Sequence, residues 1–398
     1  MCGVLFRTWD QPFDIDGRAE DTVEVADHVG ARHVVVTRHR LIKRVLADPD
    51  TFRPDNALDA ISPMPVSALR VLTSYGFRLP ATLANNGGAS HPAIREITAR
   101  ALHPDRVEAL RPWLTGLVRR RVAALSARLH AGEAVDLYAD LTADLPLLVL
   151  ARLVELPAAD AAVVKEFSRA ALELFWAPLD AARQDVLAAT VGRFHAVLRE
   201  FAATAGGLVG ELREYTAAHG LPKDTPTGAL FFLLVAGQET TSQFLTLLLH
   251  RLTQEPAVPA GLARGTVAVD DVVEEGLRLV PPIPTWRRIA ARDTELDGFP
   301  IRAGASIVLW LARAGAEVAE HPHEFVPGQR GSRRHLAFGA GSHRCVGAQL
   351  SRMESAVVVA ETAPLLRGVE VVRAPWCPDN LSFRIPDTFT VRRPAATR

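Results

Sequence analysis

The chain has 398 residues, 48% of them hydrophobic and 23% charged, and its 45 Lys and Arg balance 45 Asp and Glu. That much apolar side chain excludes a disordered chain, and the absence of net charge argues against a nucleic-acid-binding protein, which carries a basic footprint. The three cysteines, Cys2, Cys345 and Cys377, are too few for a disulfide framework and fit a reducing cytosol.

The N-terminus shows no signal peptide, since Met1 to Phe6 is a short apolar run soon followed by acidic residues. No stretch reaches the ~18 apolar residues of a membrane span. A cytoplasmic protein with no membrane partner is expected. Only Lys43, Lys165 and Lys223 are lysines, and this arginine bias, with abundant Ala, Val, Leu and Pro, suggests a GC-rich bacterial genome. No internal repeat, low-complexity tract or linker is visible, so residues 1–398 read as a single domain.

In chain order, Thr22 to Val29 and His33 to Thr37 read as short strands around Gly30, and His39 to Ala47 has helical spacing. Asn56 to Asn86 shows no sustained period and reads as a long functional or mobile loop. Helical patterns follow over His91–Leu102, Asp105–Leu129, Leu137–Leu156, Ala158–Leu174 and Leu179–His219, broken at Pro157 and Pro178. Thr227 to Leu252 is apolar nearly all round, which predicts a helix through the centre of the fold. Asp270 to Leu279 is a short helix ended by Pro281 and Pro282. Arg288 to Leu296, Ile301 and Ser306–Ala312 read as strands, Val346 to Leu366 as a helix, and Val369–Val372 and Phe389–Arg392 as strands. The expected class is mainly α with small β-sheets.

One loop carries most of the chemistry: Phe338-Gly339-Ala340-Gly341-Ser342-His343-Arg344-Cys345-Val346-Gly347. Glycines permit tight turns and close approach of the backbone to another body. A Cys at the start of a helix meets the positive end of the dipole and free N–H donors, which favour thiolate. Such a thiolate serves as nucleophile or metal ligand, and a buried structural cysteine is the plainer alternative. No second Cys lies nearby to suggest zinc.

This loop resembles the haem-thiolate signature of the cytochromes P450, Phe-Gly-x-Gly-x-His-x-Cys-x-Gly, with every specified position filled. The resemblance implies the cytochrome P450 fold, with haem b between the long central helix and the Cys loop. It makes Cys345 the axial iron ligand, His343 a hydrogen-bond partner of a haem propionate, and Phe338 a residue packed beneath the haem, with Gly339 and Gly347 shaping the loop. Three further matches follow the family's order. Ala236-Gly237-Gln238-Glu239-Thr240-Thr241 is similar to the oxygen-site motif, in which the small Ala236 and Gly237 leave room for dioxygen, Thr240 holds the proton-delivering hydrogen bonds and Glu239 relays protons. Without the resemblance, these are irregularities of a buried helix. His91 and Arg95, spaced i, i+4, and Arg288 of Arg-x-Ala-x-x-Asp are implied propionate contacts, Arg288 being preferred over Arg287 by its spacing to Asp293. Bidentate recognition of carboxylates suits Arg. Glu275 and Arg278 read alone as a surface ion pair worth little; in the family they form a buried pair whose third member is placed at Arg330.

The departures are a short region before the His39 helix and a replaced Ala-Asn-Arg-Asp segment around Gly315–Glu320. The implied activity is insertion of one oxygen atom from O2 into a hydrophobic small molecule, as hydroxylation of a natural-product intermediate. Electrons would come from a ferredoxin-type donor with an NAD(P)H-dependent reductase, docking on Arg330, Arg333, Arg334, Arg344 and Arg352. Epoxidation, C–C coupling or rearrangement, and a non-catalytic haem sensor, are the alternatives. Candidate pocket segments are Met64–Asn86, Leu172–Trp176, Phe231–Val235, Ile283–Trp286 and Asn380–Phe383.

Overall fold

The computed structural model describes residues 22–28, 31–156 and 161–394. The expected turn at Gly30, the break at Pro157 and Cys2 lie outside them. Helices dominate, with a five-stranded sheet, a three-stranded sheet and one two-stranded hairpin. Among the described residues no helix is long and apolar enough to cross a membrane.

The central helix spans 225–254 and is apolar on all sides because it is buried on all sides. Leu230, Leu234, Leu245, Leu248 and Leu249 are each at most 1% exposed. It is one run in three parts: Thr225–Leu234, a widened π-helical turn at Val235–Glu239, and Thr240–Gln254. The Thr240 hydroxyl donates to the Ala236 carbonyl over 2.7 Å. The side chain thus satisfies a carbonyl where the backbone ladder is widened.

Helix Val269–Leu279 packs beside this core, and helix Ala348–Leu366 lies against both. Helix Leu311–Glu317 occupies the segment read as the end of a strand, which stops at Trp310. Its Gly315 lies so close to the neighbouring helix that a Cβ would stand 2.9 Å from the Arg278 carbonyl oxygen. A nine-residue helix, Val66–Ser74, also sits inside the expected loop. It buries only Ala68 and Leu72 and exposes Val66 and Leu69, so its apolar residues lie on more than one face and give no helical period.

The larger sheet joins the two ends of the chain. Its order is Thr22–His28, Ala31–Val36, Ser306–Trp310, Thr285–Ala290 and Phe52–Arg53. Ala31–Val36 and Ser306–Trp310 run parallel, with His33 opposite Ser306, and the other pairs are antiparallel. Val34–Val36 and Ile307–Leu309 are buried without alternation, the pattern of strands covered on both faces.

Candidate functional site

A cavity of about 1410 Å³, mouth included, opens between the π-helical turn and the Cys loop. Eleven of the twelve site residues expected from the sequence line it: His91, Arg95, Ala236, Gly237, Thr240, Arg288, Phe338, Gly339, His343, Cys345 and Gly347. Glu239 does not.

The loop is held by its own backbone. The Cys345 N–H donates to the Phe338 carbonyl over 2.9 Å, and the Gly339 N–H to that of Leu336 over 2.8 Å. Gly341 has φ +71°, and a Cβ there would stand 2.2 Å from the Leu46 carbonyl oxygen, so only glycine lets the loop lie against helix His39–Ala47. The following helix starts at Ala348, two residues later than its apolar pattern suggests, because Gly347 is its N-cap. The Cys345 thiol opens onto the cavity yet lies deep within protein. Burial pushes it up, and the Gly347 N–H together with Arg95, Arg344 and Arg352 pulls it down only in part. The free thiol is therefore protonated, and deprotonation accompanies metal binding.

The cavity wall carries a concentration of positive charge with no acid to match it. Arg288 is 2% exposed, and among the described residues its guanidinium donates only to the Arg287 carbonyl, at 2.8 Å. Burial lowers it to about 10. The His91 and His343 rings stack at 4.0 Å between centroids. His343 falls to about 3 through burial and the nearby His91, Arg288 and Arg95, against a hydrogen bond to the Leu83 carbonyl, and its buried Nδ1 has no partner. Arg95 donates to the Arg344 carbonyl over 2.6 Å. Buried arginines such as Arg95 and Arg288 call for anions, to which neutral imidazoles can add hydrogen bonds. A flat apolar macrocycle with carboxylates at one edge and iron at its centre fits this donor set and the single thiol. Strand alternation decides between the adjacent arginines: Arg288 shares a face with Trp286, while Arg287 turns the other way and donates to the Ala57 and Asp59 carbonyls.

Glu239 is fully buried behind the cavity. Its carboxylate pairs with Lys165 Nζ at 2.9 Å and accepts from Gln238 and Gln243. Lys165, 14% exposed, links this buried group towards the surface, and no sequence signal singled it out. Thr241, which closes the oxygen-site motif without an implied role, and Ser351, unmarked, line the cavity and connect the central helix to the Cys helix through their hydroxyls at 3.4 Å.

Two buried acid clusters brace the loop from helix Val269–Leu279. Glu275 and Arg278 are joined by two hydrogen bonds, 2.7 and 2.9 Å, with both side chains 0% exposed. Arg278 also donates to the carbonyls of Pro322 and Glu324. The third member is not Arg330, which is exposed, but the preceding Gln329, whose amide donates to Glu275 over 2.6 Å. The Val326 N–H fills the remaining place. Glu274 accepts from His335 and Arg352. Burial would push its carboxyl up, but those two partners outweigh it and hold the group down at about 2. Because the folded value lies below the ordinary 4.5, this stabilisation is present above pH 4.5 and lost as pH falls towards 2. The urea midpoint of Glu274→Gln should lie below that of the parent at neutral pH, and the gap should close on acidification. A gap independent of pH would contradict this.

The expected basic docking patch is reduced in the same way. Arg352 is engaged by Glu274 and Arg333 by Asp271, leaving Arg330, Arg334 and Arg344 exposed. A second hollow reaching Cys345 mixes Arg111, Arg344 and Arg352 with Glu108 and Asp270.

Residues 268–362 match the family model Cytochrome P450. The chain is 30% identical to Cytochrome P450-SOY of Streptomyces griseus, covering 84% of this chain and 79% of that protein. It is 28% identical to Erythromycin C-12 hydroxylase of Saccharopolyspora erythraea, over 84% and 82%. Among solved structures, cytochrome P450 CREJ in complex with (4-ethylphenyl) dihydrogen phosphate superposes with TM-score 0.87 at 25% identity, covering 95% of each chain. The chain belongs to the cytochrome P450 family: it is an oxidoreductase of the monooxygenase type, and the family's cofactor is haem.

Proposed function

We propose that this chain, acting as one domain, is a haem b–thiolate monooxygenase that hydroxylates a hydrophobic intermediate of bacterial secondary metabolism. One observation carries the reading: Cys345, Thr240 and an uncompensated Arg and His group face the same apolar cavity. The names of two relatives, Erythromycin C-12 hydroxylase and the 20-oxo-5-O-mycaminosyltylactone 23-monooxygenase of Streptomyces fradiae, support the substrate class.

Cys345 would hold the iron through its sulfur; Arg95 and Arg288 would neutralise the propionates, and His91 and His343 would hydrogen-bond them. Haem held there supplies the binding and reductive activation of dioxygen, to which a thiolate ligand adds electron density. Ala236 and Gly237 keep the wall small at the π-helical turn. Thr240 parks its proton on the Ala236 carbonyl and can re-aim it into the cavity. Glu239 and Lys165 form the inner end of a proton route from the surface. Electrons arrive from a ferredoxin-type donor seated over the second hollow at Cys345, in the cytoplasm where NAD(P)H and a reductase are at hand.

The test uses a surrogate ferredoxin, its NADPH-dependent reductase and a panel of hydrophobic natural products. Conversion of a panel member to a product heavier by one oxygen is expected. Thr240→Ala should then bind that compound and consume NADPH as before, while product per NADPH falls severalfold and hydrogen peroxide rises. Full coupling in Thr240→Ala would remove the assigned proton role. Products of another mass would replace hydroxylation by another oxidation.

A further inference from the structure

The segment 63–81 carries helix Val66–Ser74 and leads into Leu83 and Ala84, which lie on the cavity wall. Its near end is pinned at Ser62, whose hydroxyl donates to the Ala177 carbonyl over 3.2 Å and accepts from the Leu179 N–H over 2.9 Å. Its far end is pinned at Asn86, whose amide donates to the Thr82 carbonyl and the Ser90 hydroxyl, each over 3.0 Å. Between these anchors the segment packs on helix Ala181–Thr204. The Tyr75 ring fills the place a side chain would take at Gly192, where a Cβ would stand 2.5 Å from it.

Among the described residues, one hydrogen bond crosses from 63–81 to the rest of the chain. His195 Nε2–H donates to the Arg78 carbonyl over 3.0 Å. The His195 side chain is 0% exposed, and its other nitrogen, Nδ1, is buried without a partner. The Phe77 and Phe231 rings stand 4.8 and 6.3 Å from the imidazole, centroid to centroid.

A second proton on this ring would create a donor at Nδ1 with no acceptor, and a charge among phenyl rings. Arg199, on the same helix, opposes that charge, and Asp224, just before the central helix, favours it. Among the described residues no other charged group acts on the ring. Burial is the largest influence and holds His195 below the ordinary 6.5, against the bond to the Arg78 carbonyl. Once the segment lifts, the ring meets water and returns to its ordinary value. The closed form is therefore fully favoured above 6.5 and loses ground as pH falls below it.

We propose that His195 is an acid-released latch: its bond to the Arg78 carbonyl holds 63–81 against helix Ala181–Thr204, and acidification frees the segment and speeds the passage of ligands to the cavity.

Amide hydrogen exchange on the haem-loaded protein tests the latch, read as protection factors so that the intrinsic pH dependence of exchange drops out. From about pH 7.5 to about pH 5.5, protection over 63–81 should fall by up to about tenfold, the limit for one proton taken up at the ordinary histidine value. Helix His39–Ala47 should keep its protection. His195→Gln retains a donor for the Arg78 carbonyl but takes up no proton, so its segment should stay protected at both values. His195→Phe leaves that carbonyl unpaired and should lose about two- to tenfold of the protection already at neutral pH. Protection independent of pH in the parent, a parent-like response in His195→Gln, or full protection in His195→Phe would overturn the latch. The association rate of n-butyl isocyanide, a neutral iron ligand that does not titrate in this range, reads the passage. It should rise on acidification in the parent and stay level in His195→Gln. A level rate in the parent beside falling protection would overturn the gating role.

Discussion

Replacing Cys345 by histidine should abolish the red-shifted Soret band of the reduced carbon monoxide complex, and monooxygenase activity with it. The cavity offers no second thiol. Cys377 lies elsewhere on the chain, and no cluster of three or more His, Cys, Asp or Glu among the described residues could hold the metal instead. Imidazole is a neutral ligand and cannot match the electron donation of a thiolate. Burial alone favours the neutral thiol, but the Gly347 N–H and Arg95, Arg344 and Arg352 all act against it and would support a sulfur ionised by bound iron. Haem should still enter Cys345→His, because Arg95, Arg288, His91 and His343 are untouched. Loss of the band with retention of haem is thus the expected pair of observations. A thiolate-type band in Cys345→His would transfer the ligand role to another residue. Cys2→Ser and Cys377→Ser should leave the spectrum unchanged.

The second large effect concerns stability. Removing one partner of a fully buried, doubly hydrogen-bonded ion pair costs roughly 3–5 kcal/mol, because the other charge is left uncompensated. Glu275→Ala leaves Arg278 so placed, and Arg278→Ala leaves Glu275. Both variants also release the 321–329 segment, whose Pro322 and Glu324 carbonyls, Val326 N–H and Gln329 amide converge on the pair. That segment leads into the Cys loop, so little haem-loaded protein should be recovered. The replacement of Arg330 by Gln329 in the cluster can be checked directly. Gln329→Ala should cost about 1.5–3 kcal/mol, the worth of a hydrogen bond to a charged group. Arg330→Ala should be near neutral. Equal unfolding midpoints for these two variants would refute the assignment.

What the sequence made visible and what it hid divide along physical lines. Cys345, His343, Gly339 and Gly347 stand within ten consecutive residues, so local spacing alone displays the loop. The helix at His39–Ala47 was legible to the residue because its apolar positions fall on one face. The π-helical turn was not, since an extra residue in a fully buried helix leaves no trace in a pattern apolar all round. Lys165 escaped notice because its partner is 74 positions away and one lysine on a helix reads as solvated surface. Arg330 was misplaced by one residue for a related reason. The family resemblance says a polar partner is due after Phe325, but which side chain turns inward depends on the turn at Gly328 and Gly331, both with positive φ. Trp176, Trp286 and Phe383 come from three segments expected to line a pocket, but that their rings pack together, with centroids 4.9–6.4 Å apart, is not visible in the sequence.

The parallel pairing of Ala31–Val36 with Ser306–Trp310 has a kinetic consequence. His33 Nδ1 and Ser306 Oγ, 3.1 Å apart, are separated by 273 positions in the chain. Loops of that length close slowly, and their entropy is lost before any strand contact repays it. During synthesis, the strand at 31–36 emerges long before its partner and carries the apolar run Val34–Val36. Until residue 310 is available, this edge is open to pairing with another chain. Refolding should show a slow phase in which helical content is already present and the sheet is not. Protein refolded at high concentration should be lost in that phase, and a chain truncated before Ser306 should aggregate through the waiting strand.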